Sequence, residues 1–65
     1  MKLDEIISLA DAESERMNVP RQFRMAFRCG FVTKAANRVV DDNEGKYHNM
    51  GRMSAALGRV KLDRK

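Results

Sequence analysis

The sequence is short of almost everything that catalysis or covalent stapling draws on: it has one Cys, one His, one Tyr, one Pro and no Trp in 65 residues. A lone cysteine forms no internal disulfide, and Cys29 with His48 falls short of the four ligands of a structural zinc site. There is no Gly-rich phosphate loop, no paired catalytic carboxylate and no His-Glu metal motif, so no enzyme activity and no cofactor are expected. No apolar run approaches the roughly 20 residues of a membrane span, and Met1-Lys2 leads into Asp4 and Glu5 rather than into the apolar stretch of a signal peptide. These absences point to a soluble protein of a reducing, cytoplasmic compartment, with no membrane and no small-molecule substrate.

Length sets the next constraint. A chain of this size makes one domain, over 1–65, and buries only about 60% of the surface that its unfolded form exposes. A second copy or another partner is expected to complete its apolar contacts.

Charge is present in blocks. The formal net charge is +4, but residues 1–16 hold five acids against Lys2 and Arg16, whereas residues 17–40 hold five basic residues and no acid. Asp41, Asp42 and Glu44 follow, and then six basic residues against Asp63 alone. An excess of Lys and Arg confined to two segments suggests one face turned toward a polyanion.

Apolar spacing predicts helices. Leu3, Ile6, Ile7 and Ala10 follow the i, i+3, i+4, i+7 rule and Met17 lies one heptad further, which predicts a helix over about 4–17 with Asp4 and Glu5 at its positive end. Pro20 starts a new helix, with Asn18 or Val19 as its cap. Over 20–40 there are two stripes: a seam of Met25, Cys29, Val32, Ala36 and Val39, and a row of Phe23, Phe27 and Phe31. After the loop at 41–45, Met50, Met53, Leu57 and Val60 predict a last helix over about 49–60, where Gly51, Ala55 and Gly58 would let another helix come close. Leu62 to Lys65 reads as a frayed tail. Cys29 is expected in the core, and Tyr47 and His48 as surface or capping groups. The expected fold is all-α, with three helices, or four if 20–40 breaks at Gly30.

One motif has some specificity. Gln22, Ala26 and Gly30 stand four residues apart, apolar Met25, Cys29, Phe31, Ala36 and Val39 fill the places around them, and Ala35 precedes the polar pair Asn37-Arg38. Residues 22–40 thereby resemble the helix-turn-helix of phage Cro and repressor proteins, in nine or so positions. The resemblance implies a left-handed turn at Gly30 and a second helix, about 32–40, seated in the major groove of double-stranded DNA. On it Thr33, Lys34, Asn37 and Arg38 would reach base edges or phosphates, while Arg21, Gln22 and Arg28 would hold the backbone. It further implies a regulator of phage or mobile-element type that binds as a homodimer. Independently of the resemblance, the heptad-like face of Met50, Met53, Leu57 and Val60 needs burial that so short a chain cannot supply alone, and is the expected dimer or partner face.

Two alternatives stay open. Residues 20–40 could form one helix that tolerates Gly30. The chain could instead be a non-enzymatic helical adaptor or inhibitor that anchors in a host protein through its Phe row or its Met-bearing helix.

Overall fold

The computed structural model describes residues 1–39 and 45–63. It is all-α, with helix α1 over Leu3–Arg16, a 3₁₀ turn over Arg21–Phe23, α2 over Arg24–Ala35 and α3 over Lys46–Leu57, and no strand among the described residues. The acidic loop expected at 41–44 lies outside them.

Each helix ends in the same way. The residue after the C-cap takes a left-handed conformation, at Asn18, Asn37 and Arg59, with φ of 57°, 56° and 53°. Paired backbone bonds close the turns: Val19 to Ser14 at 2.9 Å, Arg38 to Thr33 at 3.0 Å and Val60 to Ala55 at 3.0 Å, each the 6→1 bond of a Schellman motif that satisfies an end carbonyl. Two of the residues just beyond, Val19 and Val60, are buried. The same local device therefore stops a helix and returns the chain to the core.

The core consists of Ile6, Ala10, Val19, Phe27, Phe31, Ala35, Ala55 and Val60. Ile6 and Ala10 face inward from α1 as expected, but Leu3 is exposed and Ile7 is half-buried. α2 and α3 run side by side in the same sense: Phe23 stacks on Tyr47 where they begin, with ring centroids 4.5 Å apart, and Ala35 and Ala55 share a cleft where they end. Two glycines permit this approach. A Cβ at Gly30 would collide with the His48 carbonyl group, and a Cβ at Gly51 with that of Phe27.

This contact overturns several expectations about 20–40. α2 passes through Gly30 without a break, and no described glycine has positive φ. The turn between two helices that the Cro-like pattern implied is not formed, because Gly30 serves helix packing instead. The single-helix alternative holds in part, since α2 begins at Arg24 and stops at Ala35, not at 20 and 40. The buried stripe is also the other one: Phe27, Gly30, Phe31 and Ala35 face inward, whereas Met25 is 71% exposed, Val39 fully exposed and Cys29 exposed. His48, expected as a surface or capping group, is buried at the α2–α3 contact.

The last segment is docked through Asp63. α3 begins at Lys46 with Gly45 as its N-cap, earlier than the expected start at Asn49. Beyond α3 the Leu62 N–H donates to the Ala35 carbonyl at 2.8 Å and the Asp63 N–H to the Met1 carbonyl at 2.9 Å. The Met1 amine donates back to the Lys61 carbonyl at 3.0 Å and to Asp63 Oδ1 at 2.6 Å. The Leu62 bond thus satisfies one of the carbonyls left open at the end of α2.

Candidate polyanion interface

The parallel course of α2 and α3 sets their C-terminal ends next to each other. Between them opens a cleft of about 800 Å³, bordered by Lys34 and Asn37 from the end of α2 and by Arg59, Lys61 and Asp63 from the segment after α3. Lys34 also borders an adjoining recess of about 440 Å³ with Asn49 and Arg52 of α3. Lys34, Arg59 and Lys61, from two distant stretches of sequence, therefore border one cleft, and Lys34 shares the recess beside it with Arg52.

Among the described residues no carboxylate forms an ion pair with any of these four cations. The carboxylate in the cleft, Asp63, is already engaged by the Met1 amine at 2.6 Å. The ion pairs among the described residues are Met1 with Asp63, Arg16 with Glu13 and Arg28 with Asp11, so none includes Lys34, Arg52, Arg59 or Lys61. Arg52 Nε is buried and has no hydrogen-bond partner among the described residues. Cations gathered in this way raise the local positive potential and attract an anion with several charges more than one with a single charge.

Backbone geometry adds to this. Arg59 occupies a left-handed position, where a β-carbon is unfavourable and Gly is the usual residue. Gly58 stands one position too early to fill it, at φ −80°. The chain thus keeps a guanidinium on the cleft where a glycine would relieve the backbone. Asn37 sits at the equivalent position after α2, and Asn tolerates this conformation better than most residues.

The residues expected to bind DNA are scattered by this fold. Lys34 and Asn37 border the cleft, and Arg38 is exposed immediately after them, outside any helix. Arg21 and Gln22 lie exposed on the 3₁₀ turn, at the opposite end of α2. Arg28 is committed elsewhere: its Nε and Nη2 donate to Asp11 at 3.0, 2.9 and 3.1 Å, tying α2 to α1. Thr33 donates its hydroxyl to the Cys29 carbonyl at 2.6 Å, within its own helix. Arg52, Arg59 and Lys61 were not among the expected residues, although the basic block at 45–65 was a signal for them.

Of the Phe row only Phe23 is exposed, at 38%. Phe27 and Phe31 are fully buried with ring centroids 6.3 Å apart, and Phe23 lies flat against Tyr47. Among the described residues no three His, Cys, Asp or Glu side chains converge as metal ligands, and no helix is long and apolar enough to cross a membrane. Comparison with models of known families, with curated proteins and with solved structures gave no match.

Proposed function

We propose that this chain is a small non-enzymatic protein that binds nucleic acid, with duplex DNA as its ligand, through the cleft between the C-terminal ends of α2 and α3. One observation supports this above the rest: Lys34, Arg59 and Lys61 border a cleft whose Asp63 carboxylate is already paired, and Arg52 lines the recess that adjoins it at Lys34. Lys and Arg in such a cluster neutralise phosphates and release the counterions condensed on them. Asn37 and Arg38, on the turn after α2, add an amide and a guanidinium at the edge. In this reading DNA is gripped by its backbone, since a helix that could enter the major groove is not offered at 32–40.

Binding of a labelled duplex across a salt series tests the reading. Four phosphate contacts give log K against log salt a slope of about −3.6. Absence of binding at low salt, or binding that does not weaken as salt rises, overturns it.

A further inference from the structure

A second surface lies at the other end of the helix pair, where α2 and α3 begin. Phe23 and Tyr47 stack there with ring planes 13° apart and centroids at 4.5 Å. Phe23 takes no part in the core and keeps 38% of its surface exposed, whereas Tyr47 is half-buried and packs against the core. An exposed ring is thus backed by a second ring that the core holds in place.

Cations adjoin the pair. Lys46 Nζ stands 5.6 Å from the Tyr47 ring centroid, Arg21 is exposed two residues before Phe23, and the half-buried Arg24 follows it. Arg24 Nε donates to the Val19 carbonyl at 3.3 Å, and none of the ion pairs among the described residues includes Arg21, Arg24 or Lys46. Neither α2 nor α3 carries an acid in its first turn, and residues 17–39 have none at all. We propose that this stack is the seat of one unpaired base of a single-stranded nucleic acid. The base lies on the face of Phe23 turned away from Tyr47, and Arg21, Arg24 and Lys46 meet the phosphates on either side of it.

Charge and ring geometry together select that occupant. Every base has a π-face that can lie on an exposed aromatic ring, and single-strand binders combine such rings with a basic surface that follows the backbone. The bases of a duplex cover one another's faces, so only an unpaired one reaches the ring. An apolar peptide side chain could also rest on Phe23, but it brings no negative charge to three cations that no described carboxylate pairs. The seat is separate from the basic cleft, since the 12 residues of α2 set its two ends about 17 Å apart. The inference therefore goes beyond the duplex reading and uses none of the residues of the cleft.

Tyr47 is the only tyrosine and there is no tryptophan, so the intrinsic fluorescence of the protein reports on the stack alone. Titration of the full chain with oligothymidylate of about eight nucleotides should quench it, with an affinity that falls as salt rises. An abasic strand of the same length and charge should bind about tenfold or more less tightly, and so should thymidine monophosphate, which brings the base with a single phosphate. Phe23→Leu keeps an apolar side chain against Tyr47 and removes the π-face. With its far-UV helix signal unchanged, it should lower oligothymidylate affinity about tenfold and leave that of the abasic strand as it was. Equal affinity of the wild type for the two strands, unchanged affinity in Phe23→Leu, or binding of the mononucleotide as tight as that of the strand overturns the proposal. Duplex binding is the separate arm: its absence with the oligothymidylate quench intact overturns the functional reading alone.

Discussion

The carbonyl of His48 on α3 occupies the space that a side chain at Gly30 on α2 would need. Backbone therefore meets backbone at the centre of the fold, with no rotamer available to relieve an added atom. An alanine inside a helix is usually favoured over glycine by about 1 kcal/mol, and overpacking against a rigid neighbour reverses that by 1 to 3 kcal/mol or more.

Gly30→Ala should accordingly destabilise the protein by roughly 2 kcal/mol, read as a lower denaturant midpoint with the slope unchanged. Gly58→Ala is the contrasting variant. Its β-carbon would lie 3.4 Å from the Ser54 carbonyl, an ordinary contact, and the backbone there is already right-handed. It should be neutral or stabilising by a few tenths of a kcal/mol.

Arg28 and Lys34 lie six residues apart on one helix and should answer differently to removal. Arg28 is paired with Asp11 in a half-exposed ion pair, so Arg28→Ala should cost at most about 1 kcal/mol of stability and leave the salt slope of DNA binding unchanged. Lys34→Ala should leave stability nearly unchanged and flatten the slope by about one unit. Equal effects of the two on the slope would place the DNA on another face.

The helices were largely legible in the sequence, and their neighbours were not. α1 lies within one residue of its expected bounds because Ile6 and Ala10 carry a helical apolar period and Asn18-Val19-Pro20 stops it. The close approach was also visible, in Gly51 and Ala55. Gly30 was misread for a physical reason: a residue without a side chain leaves no mark in an apolar pattern, so its burial is invisible while its flexibility is prominent. Discounting it removed Phe27, Gly30, Phe31 and Ala35 from view as one face and left Met25, Cys29 and Val39 as the apparent seam. The cleft was illegible for another reason. Lys34 and Arg52 adjoin one recess only because α2 and α3 run in the same sense, and that direction is fixed by tertiary contacts.

Acid should expose the contribution of Glu13. Hydrogen bonding from Arg16, less the opposing effect of burial, holds its carboxylate below the ordinary range, and Arg16 is raised in return. A carboxylate with a lowered pKa in the folded state adds stability above its unfolded pKa and loses it as pH falls through the folded value. The denaturant midpoint of the wild type should therefore exceed that of Glu13→Gln near neutral pH, and the difference should close below about pH 4.5. Because Arg16 is largely exposed, the difference should be small and should shrink in high salt. A gap that widens toward acid would contradict the pairing.

Arg59 offers the sharpest separation of stability from binding. Its left-handed backbone, φ 53°, costs an L-residue about 1 to 2 kcal/mol relative to the right-handed form. Glycine removes that cost but loses up to about 1 kcal/mol through the greater freedom of the unfolded chain. Arg59→Gly should therefore raise stability modestly, on the order of 0.5 kcal/mol. It also deletes one of the three cations at the cleft. If the cleft holds DNA, the variant that melts later should bind less tightly, with a salt slope shallower by about one unit. The opposite signs matter, because a mutation that merely loosens the fold lowers both quantities. Arg59→Asn isolates the charge further, since Asn accepts the left-handed conformation and mimics what Asn37 does after α2. It should bind as weakly as the glycine variant, and undiminished DNA affinity in both would exclude this cleft as the binding surface.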